Sequence, residues 1–557
     1  MSNYRAEPNQ AVSQSVASQK AFNSTQRQPL QGPQQTKRFF NRSAFANLSL
    51  YEQEQFEAFG QGPKVTPRFS LIHQAFEYQA TCQPNALAAE HLDERISYAE
   101  LERQAVQLAC ALSAKGVKKG DYVALFVRRS IPMLVGMLAI LKLGAAYVPQ
   151  DVSITPAATL KHILAITQTK VVLTLSTLAE RVPQEGHDLI EIDAFMKTET
   201  STQAASLEPI RMQPEQACLV LFTSGTTGTP NGVKVTHANL CNILLTGPGG
   251  LGMGPGTRVG QILNIAFDMA AWETLGALTQ GASLVIRGPD ISATAQCVDI
   301  LIATPSILTT LDVEACANLS VVAVAGEPCP QPLADIWSQI CTFYNACGPT
   351  ETTIINTMQR YSPAMKNLTI GKPTPNNTVY ILDKDREPVA IGEVGEMWAG
   401  GRAVTKGYLA NRHLTAERYA PDPFLGGENR MFNTRDLGRW TQDGELEHRG
   451  RSDDQVKVRG FRVELDSVSA VLEAQPHSKR AIALKLDDRN LVAFMSPRSV
   501  DKDKALAALA DILPYYCSPA FILTLDDLPL TSRGKIDKAS LLSLAVSYAQ
   551  HHPEVLA

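Results

Sequence analysis

An apolar run, Leu219-Val220-Leu221-Phe222, passes directly into Thr223-Ser224-Gly225-Thr226-Thr227-Gly228-Thr229-Pro230-Asn231-Gly232. These residue types suit anion binding. Gly225, Gly228 and Gly232 let backbone N–H groups come close to an anion, and the hydroxyls add donors. An unbroken Thr/Ser/Gly stretch between a strand and a Pro-Asn-Gly turn favours a phosphate cradle over an ordinary turn. No Gly-Lys-Ser/Thr closes the loop, so it is not of the Walker type. A second loop, Asn345-Ala346-Cys347-Gly348-Pro349-Thr350-Glu351-Thr352-Thr353, sets a carboxylate among hydroxyls. Glu351 is a candidate ligand for Mg²⁺, a hard cation that takes oxygen ligands and shares phosphate oxygens. The same Thr-Glu pair after Gly-Pro also reads as a helix start. Further on, Pro529-Leu530-Thr531-Ser532-Arg533-Gly534-Lys535-Ile536-Asp537 presents Lys535 in a glycine-containing turn, where a lysine is ordinarily solvated.

Strands and helices must hold these loops in place. Apolar runs alternate with helical patterns at Asp121 to Val127, Lys170 to Leu175, Ser283 to Ile286 and Val298 to Ala303, which favours an α/β lobe. Three further runs end in polar residues: Ile265-Ala266-Phe267 into Asp268, Val321 to Ala325 into Gly326-Glu327, and Thr342-Phe343-Tyr344 into Asn345. Ligands of open α/β sheets bind beyond the carboxyl ends of strands, so these endings are expected to converge near the phosphate loop. With 557 residues the chain exceeds one hydrophobic core, and the composition shifts near Gly450, where Asp453 and Asp454 precede the basic segment Lys457 to Arg462. A lobe boundary is expected there. Residues 1 to about 42 are rich in Gln, Ser and Asn and read as disordered.

A net charge of -4 gives no electrostatic ground for nucleic acid or an anionic membrane as partner. Ten cysteines lie without metal-ligand spacing in a chain too long to need stapling, which reads as reduced thiols and a cytoplasmic location. The start lacks a signal peptide pattern, and the longest apolar segment, Pro132 to Pro149, is interrupted by Lys142.

The ordered motifs resemble the adenylate-forming superfamily, and within it the adenylation domains of nonribosomal peptide synthetases, over roughly Leu71 to Leu542. The resemblance is carried by Ile96-Ser97-Tyr98-Ala99-Glu100-Leu101, Leu141 to Pro149, the phosphate loop, Phe267-Asp268 and Asn345 to Glu351. It continues through Gly395-Glu396 to Gly407-Tyr408, Asp436, Gly450-Arg451-Ser452-Asp453 to Glu464, and the Lys535 turn. It implies an α/β fold: a large multi-subdomain N-terminal lobe with α/β sheets and a small α+β C-terminal lobe, joined by a hinge at Asp453. The expected division is 1–62 for the disordered tail and linker remnant, 63–452 for the core lobe and 453–557 for the small lobe. Leu48 to Phe56 looks like the linker that precedes such domains in modular synthetases. By the same resemblance a carboxylate attacks the α-phosphorus of ATP, giving an acyl-adenylate and pyrophosphate, with ATP and Mg²⁺ required. Thr223, Ser224, Gly225, Thr226, Thr227 and Gly228 would hold the β/γ-phosphates, Thr350 the α-phosphate and Glu351 the metal. Asp436 would take the ribose hydroxyls, Asn345 and Arg451 would face the nucleotide, and Lys535 would bridge substrate carboxylate and phosphate.

In amino-acid-activating members the residue matching Asp268 binds the α-ammonium; otherwise it would cap the helix that follows. The side-chain pocket would be lined by Met269, Trp272, Ala303, Ala323, Ala325, Ala346, Ile354 and Ile355, which suits a bulky apolar or aromatic amino acid. Three positions depart from the family pattern. Asn231 stands where lysine is common, with Lys234 as a substitute; Cys347 replaces an adenine-stacking tyrosine; and Arg435 replaces a glycine beside Asp436. Weaker ATP binding is the expected result. No Gly-Gly-x-Ser segment follows Lys535, so the unit reads as free-standing, delivering its product to a carrier-protein phosphopantetheine thiol or another nucleophile in trans, as an acid–thiol ligase of secondary metabolism. The alternatives are a carboxylic acid–CoA ligase, which has no need of Asp268, and a catalytically weak or inactive domain remnant.

Overall fold

Parallel strands whose polar ends pool together organise the larger lobe, seen in a computed structural model that describes residues 40–198, 207, 208, 210–224, 229–531 and 536–556. A nine-stranded sheet runs from Lys372–Pro373 through Thr357–Tyr361, Thr342–Cys347, Val321–Val324, Ile300–Ala303, Arg258–Gln261, Ser283–Ile286 and Leu87–His91 to Glu94–Ser97. From Thr342–Cys347 to Leu87–His91 neighbouring strands are parallel. Strands covered on both faces are continuous apolar runs, which is why Ile300–Ala303 shows no polar alternation. The expected strands therefore form, and their carboxyl ends lie side by side: Ala303 beside Val324, and Val324 beside Asn345.

Ile265 to Phe267 forms no strand. It is the turn before the helix Asp268–Gln280, which ends at Gly281 in the left-handed conformation that favours glycine (φ 88°). That helix is buried along most of its length, Trp272 and Leu275 completely. Its Glu273 is also fully buried and accepts the backbone N–H groups of Ile262 and Leu263, tying the helix to the end of Arg258–Gln261. Burial pushes the Glu273 carboxyl up to about 8, against those N–H donors and Gln261. The start of the helix, where Asp268 stands, is thereby fixed against the sheet.

A six-stranded sheet, ordered Asp188–Glu191, Val171–Thr174, Tyr122–Phe126, Ala146–Gln150, Ala217–Thr223 and Asn231–Thr236, delivers Thr223 at its edge facing Asn231. A third, five-stranded sheet carries Asp436 on Arg430–Trp440, paired directly with Arg451 of Leu446–Arg451. The small lobe begins with the hairpin Gln455–Val458/Phe461–Glu464. It continues with a three-stranded sheet, Arg480–Lys485, Leu491–Ser496 and Phe521–Thr524, whose apolar residues pack with Val463, Val468 and Leu472. The fold is thus α/β with a large N-terminal and a small C-terminal lobe. Among the described residues no helix is long and apolar enough to cross a membrane, and all ten cysteines are free thiols.

The stretch expected to belong to the disordered tail and linker differs from that expectation from Phe40 onward; residues 1–39 lie outside the described residues. Phe40, Phe45 and Phe56 are buried against Tyr380 and Phe424 of the five-stranded layer. The Phe56 ring stacks on Tyr380 at 5.9 Å. Ser49 and Glu52 form a capping box that starts the helix Leu50–Phe59. Three large aromatics spaced through polar sequence bury enough apolar area to order it.

Candidate active site

The pooled strand ends open onto a cavity of about 1300 Å³ bounded by both lobes. Asp268 lies on its wall, half-buried, at the first position of its helix. Burial raises its carboxyl to about 6 even though the Thr350 hydroxyl and the Met269 N–H donate to it. A carboxylate that holds its proton this tightly gains most from a cation in the cavity. Met269, Ala325, Ala346 and Ile354 line the same space. Trp272, Ala303, Ala323 and Ile355 are fully buried and are not part of the lining, and the Trp272 Nε1–H donates to the Gly249 carbonyl at 2.6 Å. The structure therefore brings half of the expected side-chain pocket to the cavity and leaves the other half behind it as core.

Asn345 and Thr350 line the cavity, Asn345 anchored by donation to the Thr369 carbonyl at 2.7 Å. Glu351, one residue further, is fully buried in the short turn Thr350–Thr352. Its Oε1 accepts the Tyr408 hydroxyl at 2.7 Å, and the Arg462 guanidinium lies 3.2 Å from Oε1 and 3.1 Å from Oε2. Burial works against the Glu351 charge, but Arg462, Arg418 and Tyr408 outweigh it and hold the carboxyl below its usual range. Among the described residues no group of three or more His, Cys, Asp or Glu side chains is placed to hold a metal. Mg²⁺ is often held by one or two carboxylates together with substrate phosphates, so a lone Glu351 fits it in that mode, with Arg462 standing where a cation would stand.

Asp436 is buried and faces the Arg451 guanidinium, with Nη1 at 2.5 Å, and the His448 imidazole, with Nε2 at 3.4 Å. Burial alone would raise its pKa, yet His448 and Arg451 hold it down to about 2. Arg451 also grips Asp453 through Nε at 2.7 Å and Nη2 at 3.0 Å, so one guanidinium joins Asp436 to the expected hinge residue. Arg435, in the left-handed conformation (φ 59°), pairs with Glu417 at 2.6 Å. Of the phosphate-loop residues, Thr223 and Ser224 are described, and the Ser224 hydroxyl donates to the Arg462 carbonyl at 3.0 Å. Gly225, Thr226, Thr227, Gly228 and Lys535 lie outside the described residues. Asn231 accepts from Asn411 Nδ2 at 3.0 Å. Half-buried Lys234 has its pKa lowered by burial and by Lys406 and Arg430. Cys347 lines the cavity, and burial pushes its thiol up to about 12.

Several residues at this site were not singled out from the sequence. Arg459 (φ 52°) and Gly460 (φ 81°) both have positive φ, as the two central residues of a tight type I′ hairpin turn do. Their turn reaches the cavity wall, with Gly460 against Thr304 and Phe461 stacked on Tyr516 at 4.3 Å. Alternating basic and apolar residues about a glycine signal the hairpin. The tie from Arg462 to Glu351, 111 positions away, carries no local signal.

The chain is similar to known proteins in sequence and in fold. The family described as AMP-binding enzyme matches residues 76–409. Adenylate-forming reductase 06235 of Coprinopsis cinerea is 44% identical over 505 residues, covering 90% of this chain and 49% of that protein. The nonribosomal peptide synthetase sirP of Leptosphaeria maculans is 36% identical over 476 residues, covering 85% of this chain and 22% of that protein. The chain thus spans about half the length of the Coprinopsis relative and less of the synthetase. Among solved structures, NpsA-ThdA of Klebsiella oxytoca, an artificially fused adenylation–PCP di-domain, superposes with a TM-score of 0.74 at 24% identity, covering 87% of this chain and 97% of that one. That likeness concerns the fold.

Proposed function

The chain belongs to the AMP-binding enzyme family and is an adenylate-forming enzyme, and on that premise we propose that it activates an α-amino acid, bulky and apolar or aromatic, as its aminoacyl-AMP. The observation that carries this reading is the Asp268 carboxylate, set in the cavity wall beside Thr350 with its ionised form awaiting a cation. The substrate ammonium pairs with Asp268, while Met269, Ala325, Ala346 and Ile354 receive the side chain. The substrate carboxylate then faces Thr350 and attacks the α-phosphorus of ATP, expelling pyrophosphate. Thr350 stands at the α-phosphate, and residues 223–228 cradle the departing phosphates through N–H and hydroxyl donors. Asp436 accepts the ribose hydroxyls, and Lys535 neutralises the carboxylate and phosphate as they meet. Bound with the nucleotide at Glu351, Mg²⁺ supplies neutralising charge on the phosphate oxygens.

The activated acyl group then passes to a thiol, in this reading the phosphopantetheine of a carrier protein. The similarity to the nonribosomal peptide synthetase sirP supports this reading. A second reading, in which the acyl group passes on to be reduced by a hydride donor, is favoured by the printed name of the Coprinopsis relative, of which this chain spans 49%. The two readings share the adenylation step. The test is acid-dependent ATP–pyrophosphate exchange. Exchange with one or two bulky apolar amino acids, lost in Asp268→Asn, is the expected result. Equal exchange with an aromatic acid lacking the amino group would sink the amino-acid assignment.

A further inference from the structure

Arg451 and His448 meet the Asp436 carboxylate at one and the same oxygen. Arg451 Nη1 lies 2.5 Å from Oδ1 and His448 Nε2 lies 3.4 Å from it, and among the described residues no donor reaches Oδ2. We propose that His448 is a positioning residue of the nucleotide site: together with Arg451 it fixes Oδ1, so that Oδ2 stays open to a ribose hydroxyl. This rests on the reading of Asp436 as the ribose ligand.

Three features carry the argument. First, a bulge places both donors on one face. Asp436 pairs with Arg451 and Gly438 with His448, so the strand Leu446–Arg451 spends one residue more than Arg430–Trp440 over this stretch. Residues three apart on a regular strand point to opposite faces. The extra residue brings both side chains to the face that carries Asp436. Second, the imidazole is held in the tautomer the contact needs. The Gly450 N–H donates to His448 Nδ1 at 3.3 Å, from a backbone conformation (φ 95°) that favours glycine. With Nδ1 accepting, the proton of the neutral ring sits on Nε2, the nitrogen that faces Asp436. Third, Arg451 is divided among partners. Its Nε and Nη2 are taken by Asp453, and Nη2 also by Gln455 at 3.1 Å, so that Nη1 alone reaches Asp436. The carboxylate torsion of an aspartate is broad, and one donor on one oxygen leaves it free to turn. A second donor on that oxygen narrows the torsion. At 3.4 Å the imidazole steers more than it binds, which sets the size of the effect below a full charge-assisted hydrogen bond. Asp436 and His448 both line the cavity, so what is set by this pair is the direction in which a cavity-wall acceptor points.

The experiment is equilibrium binding of ATP and of 2′,3′-dideoxy-ATP to the full chain, by isothermal titration calorimetry. The ratio of the two affinities reads the ribose contact, and the dideoxy affinity checks that each variant is folded. The parent should prefer ATP by about tenfold or more, and Asp436→Ala should lose most of that preference. His448→Phe keeps a ring and removes the donor. It should lose about fivefold of the preference while its affinity for dideoxy-ATP stays at the parent's value. His448→Gln, whose side-chain amide can bring an N–H to the place of Nε2, should restore most of it. Equal losses of both affinities in His448→Phe would mean that the ring only packs the strand, and would overturn the positioning role. So would a parent-like preference in His448→Phe when Asp436→Ala has lost it, and that result leaves the ribose reading standing. A preference that Asp436→Ala leaves intact would instead remove Asp436 as the ribose ligand, and the proposal with it.

Discussion

Gly460 and Thr304 meet with no room for a methyl group: a Cβ on Gly460 would fall 2.6 Å from Thr304 Cγ2, in a backbone conformation (φ 81°) that side chains rarely adopt. Gly460→Ala is expected to unseat the hairpin tip. The left-handed conformation alone costs about 1–2 kcal/mol for a residue with a Cβ, and the clash adds to it. Thr304→Ala should restore part of that loss, giving a coupling of about 1 kcal/mol in a double-mutant cycle read by amide exchange over residues 455–464. Additive effects of the two substitutions would show that the contact is not what seats the turn.

Asp268 predicts a pH dependence. Its carboxyl is raised to about 6 in the native chain, so the ionised form that pairs with an ammonium grows in as pH rises through 6. In pyrophosphate exchange, kcat/KM for the amino acid should rise between pH 5 and 7 and then level, and Asp268→Asn should lose the step and about 2 kcal/mol of substrate binding. The stability effect has the opposite sense. The unfolded carboxyl ionises near its ordinary value, so the contribution of this group to native stability is full below that value and is lost as pH rises through 6. Denaturant midpoints of the parent and of Asp268→Asn across that range separate the two effects.

Cys347 occupies a reactive-looking position, on the cavity wall beside Asp436, yet its thiol is pushed up to about 12 by burial and by that carboxylate. Alkylation by iodoacetamide at pH 7.5 should modify the exposed Cys82 and Cys297 first, with Cys347 slower by about 100-fold or more, because the thiolate is the nucleophile. Peptide mass spectrometry over time distinguishes them. Modification of Cys347 at the rate of Cys82 would show that the wall opens readily to solvent.

Phe56 tests the aromatic layer that stands where a tail and linker remnant were expected. Its ring is packed among Phe40, Phe45, Tyr380 and Phe424. Phe56→Ala should cost about 3–5 kcal/mol, seen as a lower denaturant midpoint. A loss below about 1 kcal/mol would mean that the segment is only loosely attached.

Four strands of the nine-stranded sheet, Ser283–Ile286, Ile300–Ala303, Val321–Val324 and Thr342–Cys347, were legible in the sequence because a strand buried on both faces leaves a continuous apolar signature, and the polar residues Glu327 and Asn345 that end two of these runs fall on the cavity wall. Arg462 and its tie to Glu351 were not, since the two residues are 111 positions apart and a basic strand residue looks solvated until the fold closes over it. Phe40 and Phe45 were hidden by averaging, because a composition rich in Gln and Ser masks a few aromatics whose effect depends on where they land. Trp272 misled in the opposite direction. An indole in the first turns of a site helix suggests a pocket wall, but here its N–H serves the Gly249 carbonyl inside the core.

Two walls of the cavity are built by different sheets. Ala325 and Ala346 follow or end strands of the nine-stranded sheet, whereas Asp436 and Arg451 belong to the antiparallel layer beyond it. Small residues on the first wall can be exchanged without moving the ion pairs on the second. On the proposed assignment of these walls, the choice of acid can drift over evolutionary time one methyl at a time while the nucleotide site stays still, and a library confined to Met269, Ala325, Ala346 and Ile354 should change which acid is accepted before it changes how ATP is held.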